Sequence, residues 1–282
     1  LGNTVSNINK EKLFMIISAF LFAIMAIFVK STPHSVLVKA FARQIISCIF
    51  VLAMLLIKNH RIYPQKKNRV KLFLRCIFGS LGIYLYFYSI DNMLLANASM
   101  LTRLSPFFVT IFAFLILKET ISNSNWLIFI PMVLGSALVI KPNSEMFNPA
   151  SVYAIMSACS GALAYTMIKA IGNEESAYSI IFWFTLLSSL IYFFIGVEDF
   201  LILENIEYLN LLMIGLFGVL GQIGLTLAYQ LSKASDVAPY SYFYIIFTGL
   251  FGYYFWNEIP DILSIMGYLL IASSYYYLKR TL

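Results

Sequence analysis

The chain has 282 residues, 61% of them hydrophobic and only 11% charged, with a formal net charge of +6. A soluble domain carries about 45–50% apolar and about 25% charged residues. No soluble fold of this size could cover so much apolar surface, so the composition reads as an integral membrane protein. The aromatic share of 17% is high enough for interfacial belts and a lined cavity together. Cys48, Cys76 and Cys159 all fall inside apolar stretches. An odd number of cysteines so placed is no disulfide framework, and they read as space-fillers.

Taken in order, the chain shows ten apolar spans near the roughly 17–25 residues that a crossing helix needs. Their cores are Leu13–Val29, Ser35–Ile57, Leu72–Ile90, Met93–Leu117 and Trp126–Ile140, then Pro149–Ile171, Ala177–Ile195, Leu209–Leu231, Ser235–Trp256 and Ile262–Leu278. The fifth is the weakest, being short and holding Pro131. The polar opening LGNTVSN reads as a disordered end. Lys10 and Lys12 precede the first span as in a signal peptide, but its long apolar run without a cleavage motif predicts retention.

The loops predict orientation. Lys58, Arg61, Lys66, Lys67, Arg69, Lys71 and Arg75 crowd the second connection, while the odd-numbered connections carry only Lys30 and Lys141. Basic residues collect on the cytoplasmic side, so both termini are expected in the cytoplasm and the chain in the cytoplasmic membrane. The acidic seventh connection (Glu198, Asp199, Glu204, Glu207) would face outside. The basic loop is thereby explained without nucleic acid, for which no aromatic interleaving or module is present.

A constant shift of 139 residues superposes Ser18-Ala19 on Ser157-Ala158, Lys30 on Lys169, Gly79 on Gly218, Gly82 on Gly221, Phe108 on Phe247 and Glu119 on Glu258. Each half holds an odd number of spans, so the second must enter the membrane from the opposite side. The expectation is an all-α membrane protein of ten transmembrane helices arranged as two inverted five-helix repeats. Residues 1–12 form a cytoplasmic tail, 13–140 the first repeat, 141–148 a linker and 149–282 the second repeat. Gly215, Gly218, Gly221 and Gly224 form a ladder suited to close helix packing.

Two stretches related by the shift, LSPFFVTIFAFLILKET (Leu104–Thr120) and VAPYSYFYIIFTGLFGYYFWNEIP (Val237–Pro260), resemble the fourth- and ninth-span signatures of EamA-type members of the drug/metabolite transporter superfamily. Lys30, Lys169 and Arg43 fit the same pattern. The resemblance implies a central cavity lined mainly by spans 1, 3, 4, 6, 8 and 9, with no particular substrate. Ile245 stands where the family often has proline, so a kink in the ninth span would rest on Pro239.

Charges within spans mark candidate sites, because they are costly in a bilayer. Those counted as well inside are Lys39, Arg43 and Arg103. Arg103 follows Met93 by ten residues, about 15 Å of helix, near the midplane where transporter sites lie. Lys39, near a helix end, is expected to snorkel. The partners of Lys39, Arg43 and Arg103 under the shift are Tyr178, Phe182 and Tyr242, so only one half is charged. Arg103 with Arg43 is the candidate anion site, on a stretch that also carries Ser99. Tyr84 with Tyr88, Tyr240 with Tyr244, and Gln222 with Thr226 supply aromatic and hydrogen-bonding candidates. These groups could alternatively cage a quaternary ammonium or drug-like cation.

The expected activity is secondary transport, with export favoured by the resemblance, of a small organic metabolite bearing an anionic group, such as an amino-acid-like solute. Expected partners are that solute and membrane lipid, with protons or a counter-substrate as candidate coupling species. One chain holds both halves, so a monomer suffices. No cofactor is implied. An enzyme would need a nucleophile with a base or a metal cluster, and no His lies in a span. No Walker-type loop is present. A channel or a non-transporting scaffold is the alternative of another class.

Overall fold

The computed structural model describes residues 10–59, 61–118, 130–131, 134–135, 137–138, 148–201, 207–232 and 237–281. Apart from short 3-10 turns, their regular structure is α-helical: α1 Lys10–Ser31, α2 Val36–Ile57, α3 Arg69–Asn92, α4 Leu95–Thr102, α5 Ser105–Leu117, α6 Ala150–Ile171, α7 Ala177–Ile195, α8 Val197–Leu201, α9 Tyr208–Leu231, α10 Phe243–Trp256 and α11 Ile262–Thr281. The expected fifth span lies largely outside the described residues; Ile130, Pro131, Leu134, Gly135, Ala137 and Leu138 within it are helical. Among the described residues, seven segments are long and apolar enough to cross a membrane: Lys10–Ser31, Val36–Ile57, Lys66–Asn92, Leu95–Leu117, Ala150–Glu174, Ala177–Ile195 and Tyr208–Leu231.

The bundle turns large apolar side chains outward and buries some polar ones within a mainly apolar core. Ile57, Phe194 and Leu250 are 71%, 72% and 62% exposed, whereas Gln44, Ser188, Thr226 and Thr248 are buried. Exposed apolar surface on this scale suits a hydrocarbon solvent. Several buried hydroxyls are satisfied on the helices themselves, as when Thr166 Oγ1 donates to the Ala162 carbonyl and Thr248 Oγ1 to the Tyr244 carbonyl.

The expected fourth span, Met93–Leu117, is two helices rather than one kinked helix. The Arg103 amide donates to the carbonyls of Ser99 and Met100, closing α4. Pro106 then falls in the first turn of α5, where a missing N–H costs nothing. The proline therefore starts a helix, and Arg103 sits in the break. In the same way Pro239 lies in a 3-10 turn, Ala238–Tyr242, that precedes α10.

Packing follows the 139-residue offset. α3 and α9 coincide under it, and α5 and α10 end on left-handed residues 139 apart, Lys118 (φ 56°) and Asn257 (φ 51°). α1 packs on α9 as α6 packs on α3, and α1 on α10 as α6 on α5. Individual contacts repeat as well. Ser18 Oγ donates to the Gly221 carbonyl (2.6 Å) and Ser157 Oγ to the Gly82 carbonyl (2.7 Å). Lys30 donates to the Met93 carbonyl (3.3 Å) and Lys169 to the Ser232 carbonyl (2.8 Å). The glycines make these approaches possible: a Cβ on Gly224 would lie 2.9 Å from the Phe14 carbonyl oxygen.

Candidate functional site

Where α1, α3, α6 and α9 meet, the bundle forms a partly open cavity of about 100 Å³. α3 supplies one wall through Arg75, Gly79, Gly82, Ile83 and Tyr86, a stripe of residues three or four apart. α6 faces it with Ser157, Gly161 and Tyr165. α1 contributes Phe22 and Met25, α2 Arg43, the α4–α5 break Arg103, α7 Phe184, α9 Gln222 and α10 Tyr244. No Asp or Glu lines it among the described residues.

Three guanidiniums thus share one cavity. Arg43 and Arg75 are buried, Arg103 half-buried. Each lies against an aromatic face: Arg43 is 5.9 Å from the Phe22 centroid, Arg75 3.8 Å from Phe184 and Arg103 4.0 Å from Tyr244. Cation–π contact in a desolvated site stabilises by about 2 kcal/mol, well short of what a buried charge loses on leaving water. Arg43 adds a bond from Nη1 to Gln44 Oε1 (2.8 Å) and a contact from Nε to Met25 Sδ (3.4 Å). Among the described residues, Nε of Arg75, Nε of Arg103 and the Tyr244 hydroxyl have no hydrogen-bond partner. The arrangement is short of negative charge and rich in donors.

The EamA-like transporter family model matches residues 9–141 and 148–279. The chain belongs to that family. It is 32% identical over 277 residues to the Pseudopaline exporter CntI of Pseudomonas aeruginosa, covering 95% of each chain. It is 29% identical over 279 residues to Solute carrier family 35 member G1 of Homo sapiens, covering 93% of this chain and 76% of that one. It is 24% identical over 198 residues to the S-adenosylmethionine uptake transporter of Rickettsia prowazekii, covering 70% and 67%. A solved crystal structure superposes with a TM-score of 0.70 over 96% of both chains at 13% identity, which shows a shared fold. The chain is therefore a multi-pass membrane protein of a transporter family, not of an enzyme family.

Within this EamA-family chain, Arg43, Arg103, Gln222 and Tyr244 line the cavity. The other candidates surround it or lie apart. Ser99 is fully buried in α4, and Thr226 accepts a bond from Gln222 Nε2 (3.2 Å). Tyr84 is partly buried against the core, Tyr88 pairs with the Tyr153 ring (4.7 Å), and Tyr240 lies under the Lys12 ammonium (5.4 Å). The lining also includes α2 and α7, beyond the spans that the resemblance implied. Arg75, Tyr86, Tyr165 and Phe184 are lining residues that sequence reasoning left out.

Two further expectations change. Arg75, grouped with the loop cations, is inside α3. Lys39, expected to snorkel, is 1% exposed and bonded to both Asp91 carboxylate oxygens at 2.6 Å, with the Val29 and Thr32 carbonyls nearby. A carboxylate at a span end thus does neutralise one intramembrane cation. At the same end of the bundle Glu258 pairs with Lys30 and accepts from the Leu95 amide (2.8 Å), tying α1, α4 and the end of α10 together. The counterpart of Glu258, Glu119, lies outside the described residues.

Proposed function

We propose that this chain is a secondary transporter that carries a small organic metabolite with an anionic group across the cytoplasmic membrane by alternating access. The observation that carries this is the convergence of Arg43, Arg75 and Arg103 on one cavity with no carboxylate in its lining among the described residues. A charge buried in a bilayer protein needs a partner, and here the solute supplies it. The repeated packings of α1 on α9 and α6 on α3, with their exchanged serine–glycine bonds, support two inverted repeats around that cavity. The loop charges support cytoplasmic termini. Export rather than uptake follows the exporter among the relatives.

A cationic or quaternary ammonium substrate is the second reading, favoured by the rings in the cavity. The rings of Phe22, Phe184 and Tyr244 already face guanidiniums, which leaves less aromatic surface for another cation. The test is transport by purified protein in liposomes, with a thermal-shift screen of organic anions, amino acids and quaternary ammonium compounds. Saturable flux with counterflow of a carboxylate-bearing solute is expected, and Arg103→Ala should weaken its binding. Non-saturating conductance would make the protein a channel. Equal stabilisation of wild type and Arg103→Ala by ammonium compounds alone would make the rings the site.

A further inference from the structure

At the end of the bundle where α1 and α10 finish, one carboxylate joins three helices. Glu258 stands two residues past α10. It pairs with Lys30 in the last turn of α1 and accepts from the amide of Leu95, the first residue of α4 (2.8 Å). Lys30 also donates to the Met93 carbonyl (3.3 Å) and lies over the Trp256 ring (5.5 Å). Leu94, which precedes α4, gives it no side-chain cap. Glu258 thus supplies from the second half the acceptor that the first turn of α4 lacks. The carboxylate is held in place by its own backbone. Asn257 turns left-handed (φ 51°), the Glu258 amide returns to the Gly252 carbonyl (3.1 Å), and a Cβ on Gly252 would lie 3.0 Å from Glu258 Oε2.

The same three helices line the cavity further in. Met25 of α1 lies five residues before Lys30, and Thr102 of α4 seven residues after Leu95. At 1.5 Å per residue, Glu258 meets them about 8–10 Å from the lining. Arg103, which closes α4, lies over the Tyr244 ring at the start of α10 (4.0 Å). α4 and α10 are therefore fastened to each other at the cavity and again at Glu258. The neighbouring Lys39–Asp91 pair differs in kind. It joins α2 to α3 within the first half, and Lys39 is 1% exposed. The Lys30–Glu258 pair joins the first half to the second and sits at helix ends, where separated charges can reach water at lower cost than in the bilayer interior.

We propose that Glu258 is a clasp that closes this end of the cavity. Opening toward this side breaks its contacts with Lys30 and Leu95 together, frees α10 from α1, and uncaps the short helix that carries Arg103. This rests on the alternating-access reading above.

The experiment is cysteine accessibility of the full chain in membranes. Thr102→Cys is the reporter in the cavity, with Cys48, Cys76 and Cys159 changed to alanine. A membrane-impermeant sulfonatoethyl methanethiosulfonate is applied to intact cells and to inverted vesicles, and labelling after unfolding in dodecyl sulfate sets the total. Loss of one charge-assisted bond shifts a two-state equilibrium by roughly tenfold. Glu258→Gln and Lys30→Met should therefore label about fivefold faster or more from one face only. Glu258→Ala, which also loses the Leu95 bond, should be faster again. Asp91→Asn should keep the rates of the parent, because its pair does not join the two halves. Parent rates in Glu258→Ala would overturn the clasp. So would equal acceleration from both faces, or the same acceleration in Asp91→Asn, since a loosened bundle would then explain it. A reporter that labels from each face at rates indifferent to Glu258 removes the clasp and leaves the carrier. A reporter that labels from neither face in any variant, yet labels once unfolded, removes both.

Discussion

Asp91→Asn tests how the bundle tolerates charge. Lys39 is 1% exposed and holds both Asp91 oxygens at 2.6 Å, while the Asp91 side chain is 25% exposed. Removing one member of a buried ion pair costs about 3–5 kcal/mol, because the other charge is left without a partner. Two features reduce that here: water reaches Asp91, and the Val29 and Thr32 carbonyls remain as acceptors at 3.2 and 3.4 Å. The expected loss is about 2–3 kcal/mol. Lys39→Met in the Asp91→Asn background removes the stranded cation and should recover at least half of it. Unfolding in mixed dodecyl maltoside and dodecyl sulfate micelles, followed by tryptophan fluorescence, measures all three. Asp91→Asn within about 0.5 kcal/mol of wild type, or a double variant less stable than Asp91→Asn, would refute the assignment of Lys39 as a buried, carboxylate-dependent cation.

Other substitutions address packing and the end of the bundle. Gly224→Ala would place a Cβ 2.9 Å from the Phe14 carbonyl oxygen, a backbone atom that cannot turn aside. A loss of about 1–3 kcal/mol is expected in the same assay. Gly249→Ala, with nothing within 4 Å of the new carbon, should instead gain about 0.5–1 kcal/mol from lower backbone entropy. Glu258→Ala strands Lys30 and the Leu95 amide together and should cost about 2 kcal/mol, with Glu258→Gln recovering part by keeping the Leu95 bond. Ser18→Ala and Ser157→Ala each remove one hydrogen bond to a glycine carbonyl. Both should cost about 1 kcal/mol, and a gap wider than that between them would show that the two contacts are not equivalent.

Much of the helical frame could be read in advance because apolar length is a strong signal and the chain has little else. α1, α2, α3, α6, α7 and α9 fall on their expected spans within a few residues. The site was less legible. Arg43 and Arg103 stood out as charges in apolar surroundings, but Arg75 was counted with the loop cations although the span Leu72–Ile90 already contained it. In the sequence Gly79 and Gly82 stand out only as the partners of Gly218 and Gly221 under the 139-residue shift. Read at helical spacing, Arg75, Gly79, Gly82 and Tyr86 form one stripe, and that stripe is the α3 wall of the cavity. Tyr84 and Tyr88 lie on another face of α3, away from that wall. Asp91 could not be paired with Lys39 from sequence, because 52 residues separate them and only the packing of α2 near the end of α3 brings them together.

The cavity breaks the symmetry that the frame repeats. Arg43, Arg75 and Arg103 all come from the first half, and the residues 139 positions on are Phe182, Ile214 and Tyr242. The second half faces them with Gly161, Tyr165, Phe184, Gln222 and Tyr244, all uncharged. If an anion is anchored to one half only, the other can move past it without pulling an ion pair apart in a medium of low dielectric. Rigid-body motion of one half against the other is the usual route to alternating access in repeat-built transporters. Its barrier falls when the strongest contacts stay within a single moving body. In the proposed cycle the two halves related by the 139-residue repeat would be the matched bodies, and the confinement of charge to one of them would let the loaded cavity change its exposure.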